Sequence, residues 1–499
     1  MKTLVTIANY GTGNDRHLSR VLDEYRRMKP DVDIVVTSNI PKNLGGDVEV
    51  IVGLPATNPR SLPFAHKRVF AERLESYQLF IYTEDDILIT GRNIDAFLRA
   101  TEMLPENQIA SFFRSETDSG GELYFPEAHK HYHWDITSVN FAGGYTLASF
   151  TNEHAGCYAV TQAQLRRAIA SGGYLLPPRE GKYGMLETAA TDIYTLCGLR
   201  KVICISHFED FIVPHLSNKY AGKGTLGATE FYSQIGVLSK LGKNGHLKGL
   251  NRNEASSATL IPVETRLYHQ HYSKSYYEPR QEHLLSLVPS GTRRALSFGC
   301  GWGETEKALI ERGTRVTAIP LDPVVAANAA SRGVEIIYGD LSWARRQLAG
   351  QRFDCLILSN VLHLVPDPVK VLSSLLELLT PQGCVVASVP HFPLARRISR
   401  RIRLRGLQAN PVSYESSGMH PVTGRILRRW FRKAGLKPRK AVYEIPPEKE
   451  LAHRLSLGLA ESTFGSEVYL LGRRVGAARP TARKWESENE GSVQEELIR

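Results

Sequence analysis

No run of about 18 or more consecutive apolar residues occurs anywhere in the chain, so no membrane-spanning helix is expected. Met1 to Tyr10 carry only a short apolar stretch with no small-residue cleavage site. They read as a first β-strand rather than a signal peptide. Cysteine is scarce. The six are Cys157, Cys197, Cys204, Cys300, Cys355 and Cys384, and none forms a Cys-x-x-Cys pair. Buried free thiols in a reducing cytoplasm explain them better than disulfides or zinc. Internal repeats are absent. Charge imbalance is small as well: Lys+Arg 62 against Asp+Glu 51 gives +11 over 499 residues. That density is too low for a dedicated nucleic-acid binder, so no nucleic-acid partner is expected.

What is present is ordinary globular material, 42% hydrophobic and 23% charged, which excludes wholesale disorder. The length predicts roughly two to four domains. Apolar strands at Leu4–Ala8, Asp33–Thr37, Val48–Leu54 and Gln78–Tyr82 are separated by helical patterns at Arg16–Met28 and Phe64–Ser76. Such alternation predicts a largely parallel sheet covered by helices. From Gly222 to Pro262 Gly, Ser, Asn and Lys become frequent and apolar periodicity fades. A connector is expected at 226–262. Strands then resume at Arg294–Phe298, Val316–Ile319, Glu335–Tyr338, Asp354–Leu358 and Gly383–Val389. The expected fold class is α/β, with two doubly wound domains at 1–225 and 263–475 and a polar tail at 476–499.

Two local patterns carry chemistry. In the first half an apolar strand runs straight into Glu84, Asp85 and Asp86. Three consecutive carboxylates between apolar residues need neutralising, and hard oxygens suit Mg²⁺ or Mn²⁺. At the carboxyl end of a strand they would face a ligand crevice. The residues alone equally allow a solvated acidic turn. Gly11, Gly13, Asn14 and Asp15 form a loop after the first strand, and Glu187 and Asp192 are two carboxylates five apart. In the second half Gly299, Gly301 and Gly303 follow a strand and open a helix. Alternate glycines let the backbone approach a ligand that side chains would block.

The segment Phe80–Leu88 resembles the Asp-x-Asp region of GT-A glycosyltransferases, over about residues 1–225. The resemblance implies sugar transfer from a nucleotide sugar with a divalent metal, Mn²⁺ or Mg²⁺. It implies metal ligation by Asp86, with His215 ahead of His207 as the remaining protein ligand. Glu84 would sit near the ribose or a metal water, beside Asp85, and Gly11, Asn14 and Asp15 near base and phosphates. Gly156 would admit close backbone approach. Asp192, opening a helix, and Glu187 would activate or orient the acceptor, although a helix N-cap is an equal reading of Asp192.

The succession Gly299 to Gly303, Asp322, Asp340, Asn360 to His363 and Pro381 to Val385 resembles the class I S-adenosylmethionine-dependent methyltransferases over about 265–475. The resemblance implies that the three glycines cradle the methionine moiety. Asp340 would meet the adenine amine, and Asn360 would line the methyl-presenting pocket. His363 and His420 would be candidate bases. Two departures matter. Ser297 stands where the family has an acidic residue, and Pro320 where a ribose-binding acid is common; Asp322 is the nearest replacement.

Together these readings predict a bifunctional glycan-modifying enzyme. One half adds a sugar, and the other methylates a hydroxyl of a glycan or glycolipid acceptor. Two alternatives stay open: a cofactor-free methyltransferase-like module beside an active glycosyltransferase, or a methyltransferase beside a carbohydrate-binding domain. Six arginines crowd 396–405, interleaved with Ile398, Ile402 and Leu404 and preceded by Leu394. That segment suits either a peripheral contact with an anionic membrane surface from the cytoplasmic side or a solvated basic helix face.

Overall fold

The computed structural model describes residues 1–28, 31–53, 58–154, 156–244, 246–247, 250–251, 261–267, 270–392, 413–455 and 461–474. The basic segment 394–405 and the tail 476–499 lie outside the described residues.

The amino-terminal sheet has five strands: β1 (Thr3–Asn9), β2 (Val32–Ser38), β3 (Val48–Val52), β4 (Leu79–Glu84) and β5 (Cys157–Thr161). Their order is β5-β4-β1-β2-β3, all parallel except β5. Every residue of β1 is buried, as expected for a central strand covered on both faces. Helix α1 (Asp15–Arg27) buries Leu18, Val21, Leu22 and Tyr25, the i, i+3, i+4, i+7 stripe read from the sequence. Two four-stranded sheets are built from chain region 108–227, and helix α2 (Met185–Thr195) lies between their strands in the sequence.

The carboxy-terminal sheet has seven strands: β6 (Arg294–Cys300), β7 (Arg315–Pro320), β8 (Glu335–Ile336), β9 (Phe353–Ser359), β10 (Leu379–Pro390), β11 (Leu436–Glu444) and β12 (Glu467–Arg474). Their order is β8-β7-β6-β9-β10-β12-β11, and only β12 runs antiparallel to its neighbours. Both sheets therefore reverse winding direction beside their first strand, between β1 and β4 and between β6 and β9. In an open α/β sheet that switch point opens a crevice at the carboxyl ends of the strands.

Part of the stretch expected to connect the halves is helical. Helix α3 (Ala228–Asn244) occupies its first part and buries Phe231, Ile235, Leu238 and Leu241. Gly242 lets it approach closely: a Cβ there would meet the Thr146 side chain at 2.3 Å. The same helix contacts α5 (Ala326–Ser331), which follows α4 (Glu304–Glu311) in the second half. Gln234 Nε2 donates to Asn328 Oδ1 at 2.9 Å, and Asn328 Nδ2 donates to the Glu230 carbonyl at 2.9 Å. One hydrophobic core runs from Phe113 and Trp134 through Phe231 to Leu296 and Leu358. The halves thus share a core, and α3 is part of it. Helix α6 (Gly424–Lys433) precedes β11.

All six cysteines are buried and free. Among the described residues no helix is long and apolar enough to cross a membrane.

Candidate functional site

The amino-terminal crevice gathers most of the predicted polar residues. Asp85, just past β4, accepts from Asn9 Nδ2 at the end of β1 and from Asn14 Nδ2 before α1, both at 2.7 Å. Gly11 N–H donates to Asn39 Oδ1 at 2.6 Å, and Lys42 bridges the Gly11 carbonyl and Asp15. Asp86 Oδ2 lies 3.2 Å from His215 Nε2 and 3.5 Å from Lys219 Nζ. The pairing is fixed by backbone: Leu216 N–H donates to the Asp86 carbonyl at 2.7 Å, and Ile87 forms a β-bridge with His215. On its other side His215 Nδ1 meets Glu116 at 2.5 Å. His207, the second choice, instead packs on the Tyr145 ring at the surface.

Electrostatics follow from this packing. Burial raises Asp86, but the hydrogen bond and charge of His215, with Ser217 and Lys219, overcome it and hold the carboxyl well below its usual range. Burial lowers His215, but Asp86 and Glu116 win and raise it to about 9. Glu84 is pushed up to about 7 by burial and by Asp86. Gly156 sits against it, with φ +62 and Glu84 Oε2 3.3 Å from where a Cβ would stand. Among the described residues no group of three or more His, Cys, Asp or Glu is arranged to hold a metal ion. His215 is a second donor beside Asp86 only once it gives up its proton, so a cation there needs further ligands from a bound molecule.

The acceptor-side prediction needs correcting. Asp192 does not open a helix: α2 starts at Met185 and carries Asp192 in its interior. Lys67 Nζ donates to one carboxylate oxygen at 2.5 Å and Arg179 to the other at 2.6 Å. Asp192 is 1% exposed, so both oxygens are already engaged in a buried ion cluster. Glu187 lies in the first turn of α2.

The carboxy-terminal crevice forms around the glycine turn. Gly303 has φ +90, and a Cβ there would meet Ala329 of α5 at 2.7 Å. At Gly301 a Cβ would stand 2.2 Å from the Tyr276 carbonyl, so this glycine admits the 274–278 segment onto the turn. Gly299 packs beneath Val361. Between turn and segment lies a narrow open cleft, with Lys274, Glu278, Gly299, Gly301, Glu306 and Ser359 among its walls.

Lys274 and Glu278 were not singled out in the sequence, and they organise this cleft. They form an ion pair. Lys274 Nζ also donates to the Ser359 carbonyl at 2.8 Å, and Ser359 Oγ donates to Glu278 Oε2 at 3.0 Å. Asn360, in the left-handed region at φ +51, donates through Nδ2 to Glu278 Oε1 at 3.2 Å. Its Oδ1 is buried without a partner, a lone acceptor that a ligand donor would satisfy. Ser297 donates to Glu306 Oε1 at 2.6 Å, so a carboxylate stands beside the turn although β6 carries none. The cleft therefore offers an ammonium, carboxylates and bare backbone. That set fits the amino-acid end of S-adenosylmethionine.

Asp322 and Asp340 sit elsewhere. Asp322 Oδ1 accepts from the Val324 and Val325 amides at 2.9 and 2.7 Å, and its Oδ2 is 3.3 Å from His133 of the first half. Asp340 caps a short helix by accepting from Trp343 N at 2.7 Å. Neither lines the cleft. His363 is fully buried; its Nε2 contacts the Tyr272 carbonyl at 2.9 Å, and its Nδ1 has no partner. Burial drives its pKa down to about 4. His420 sits against the Val365 and Pro366 carbonyls, and its backbone N–H donates to the His363 carbonyl at 2.8 Å.

Residues 269–441 match the family model described as a methyltransferase domain. A ubiquinone biosynthesis O-methyltransferase of Xylella fastidiosa is 31% identical over 122 residues, 23% of this chain and 49% of that protein. The chain thus spans about half the length of this relative. An uncharacterized methyltransferase of Mycobacterium tuberculosis is 33% identical over 168 residues, 32% of this chain and 78% of that protein. The solved S-adenosylmethionine-dependent methyltransferase of Mesorhizobium loti is 19% identical, covering 39% of this chain and 96% of that one, with a TM-score of 0.28.

Proposed function

Through residues 269–441 this chain belongs to the methyltransferase domain family, and from that premise we propose that it methylates a hydroxyl of a glycan or glycolipid, using S-adenosylmethionine. The observation that carries the reading is the Lys274–Glu278 pair facing the glycine turn, with Asn360 Oδ1 unpartnered beside it. Bound there, S-adenosylmethionine supplies an electrophilic methyl group. Lys274 and Glu278 would hold the carboxylate and ammonium of its amino-acid end, and Gly301 lets the segment that carries them sit against the turn. His363 would take the proton that the acceptor hydroxyl gives up when it replaces the sulfonium sulfur on the methyl carbon. Its Nε2–H donates to the Tyr272 carbonyl, which fixes the tautomer and leaves Nδ1 as the base. Calorimetric titration of the full chain with S-adenosylhomocysteine tests this. Saturable binding is expected, at least tenfold weaker in Glu278→Gln. No saturable binding would sink the reading.

A second activity in the first half is favoured by one geometry: Asn9, Asn14 and Asp85 interlock at the β1–β4 switch point, with Asp86 and His215 paired beside them. This arrangement supports the resemblance to GT-A glycosyltransferases, with a divalent cation at Asp86 and His215 and a nucleotide sugar over Gly11, Asn14 and Asp15. Mn²⁺-dependent release of nucleoside diphosphate from a sugar-nucleotide panel tests it. If Asp86→Ala leaves the release unchanged, the assignment is wrong. Both activities fit a cytoplasmic enzyme at the inner face of a membrane, with 394–405 as its contact to anionic lipid.

A further inference from the structure

Helix α6 carries a feature that methyl transfer does not explain. Thr423 caps it by accepting from Ile426 N at 3.2 Å, and Leu427 and Phe431 bury its inner face. Arg425, Arg428, Arg429, Arg432 and Lys433 occupy the opposite face at i, i+3, i+4, i+7 and i+8 spacing. Four of the five are exposed and Arg428 is half-buried. No Asp or Glu occurs from Gly424 to Tyr443, whereas Lys437, Arg439 and Lys440 follow within that stretch. Among the described residues none of the five stripe residues enters an ion pair.

Such a stripe works against the helix. Arg425–Arg429, Arg428–Arg432 and Arg429–Lys433 are like charges at i, i+4, and Arg425 sits in a first turn without any acid. The carboxyl end of the helix favours Arg432 and Lys433, but no carboxylate among the described residues pairs with the stripe, which leaves it open to an external polyanion.

We propose that the outer face of α6 docks on an anionic bilayer. This deepens the membrane-contact reading above and rests on it. Three observations select lipid over nucleic acid. The stripe has no aromatic side chain for bases to stack on, since Trp430 lies edge-on against His420 at 5.5 Å. The upstream basic segment alternates its arginines with Leu394, Ile398, Ile402 and Leu404, a composition suited to the headgroup–acyl boundary. The helix also starts at the acceptor side of the crevice, because His420, four residues before Gly424, is bonded to the His363 carbonyl. A bilayer on this face lies beside the crevice, so the acceptor class it serves is an amphiphile with its polar head at the membrane surface.

Co-sedimentation of the full chain with vesicles tests this without cofactor or acceptor. Binding is expected to vesicles of phosphatidylcholine with phosphatidylglycerol, and not to phosphatidylcholine alone, and to fade at high salt. Replacing Arg428, Arg429 and Arg432 together by Gln should weaken it roughly a hundredfold, at about fivefold per charge. Replacing the same three by Lys should keep it, with circular dichroism unchanged in both variants. A separate variant, Arg396, Arg397, Arg400 and Arg401 to Gln, reports on the upstream segment alone. Wild-type binding by the α6 Gln variant overturns the proposal while leaving the 394–405 reading standing. So does tighter binding to duplex or single-stranded oligonucleotide than to anionic vesicles at the same ionic strength.

Discussion

The two crevices stand at the same topological position, yet they are walled by opposite means. In the first half polar side chains do the building: Asn9 and Asn14 clamp Asp85, and His215 clamps Asp86. In the second half the wall is a glycine turn packed closely against its neighbours, and the charged groups arrive from outside the sheet on the 274–278 segment. Topology thus fixes where a ligand sits, and the flanking segments fix which ligand. The contrast extends to buried charge. The first half surrounds Asp192 with two cations at 1% exposure. The second half pairs Lys274 with a Glu278 that keeps some contact with solvent.

Removing Lys67 and Lys274 in turn is the sharpest way to test that contrast. Lys67→Met leaves Asp192 with Arg179 alone, and breaking such a pair costs about 3–5 kcal/mol. A urea titration should show most of that loss, with binding of S-adenosylhomocysteine by the surviving folded protein unchanged. A loss under about 1 kcal/mol would mean that the cluster is not a structural anchor. The glycines give the next effect. Gly303→Val combines left-handed strain with a clash against Ala329 and should destabilise by about 3 kcal/mol. Gly13→Ala in the first half, where nothing lies within 4 Å and φ is ordinary, should change stability by less than about 0.5 kcal/mol.

Lys274→Met should reverse the order of effects seen at Lys67. Glu278 keeps Ser359 and Asn360 as partners, so stability falls by only about 1 kcal/mol. Affinity for S-adenosylhomocysteine falls at least tenfold, measured by calorimetry. Equal losses at both lysines would erase the distinction between an anchoring pair and a ligand-holding pair.

What the sequence disclosed tracks how local each signal was. The acidic turn, the glycine turn and the α1 stripe are contiguous patterns, and they are found where they were expected. His215 was reached through resemblance, and the structure does pair it with Asp86. Asp192 was misplaced because its partners, Lys67 and Arg179, lie 125 and 13 residues away, and no spacing rule announces them. Lys274 and Glu278 precede the glycine turn in a segment without periodicity. The sequence signal available for them was only their i, i+4 opposite charge. Helix α3 was hidden by Gly236 and Gly242, which weaken helix propensity, although Gly242 is there to admit Thr146.

A pH-dependent effect concerns a carboxyl that has no cation among the described residues. Burial, with Glu278 and Glu444 nearby, raises Glu467 from 4.5 to about 7 despite hydrogen bonds from Ser388 and Asn360, and its Oε1 has no partner. The folded protein therefore holds a proton that the unfolded chain releases between those values. With the folded state binding more protons, stability falls as pH rises from about 4.5 to about 7 and this contribution is flat above. Glu467→Gln removes the titration. Relative to wild type it should gain stability of order 1 kcal/mol between about pH 5 and pH 8, read from urea midpoints at both values. A gap that does not change with pH would mean that Glu467 is ionised throughout. The second half would then tolerate an unpaired buried charge, and the contrast with Asp192 would fail.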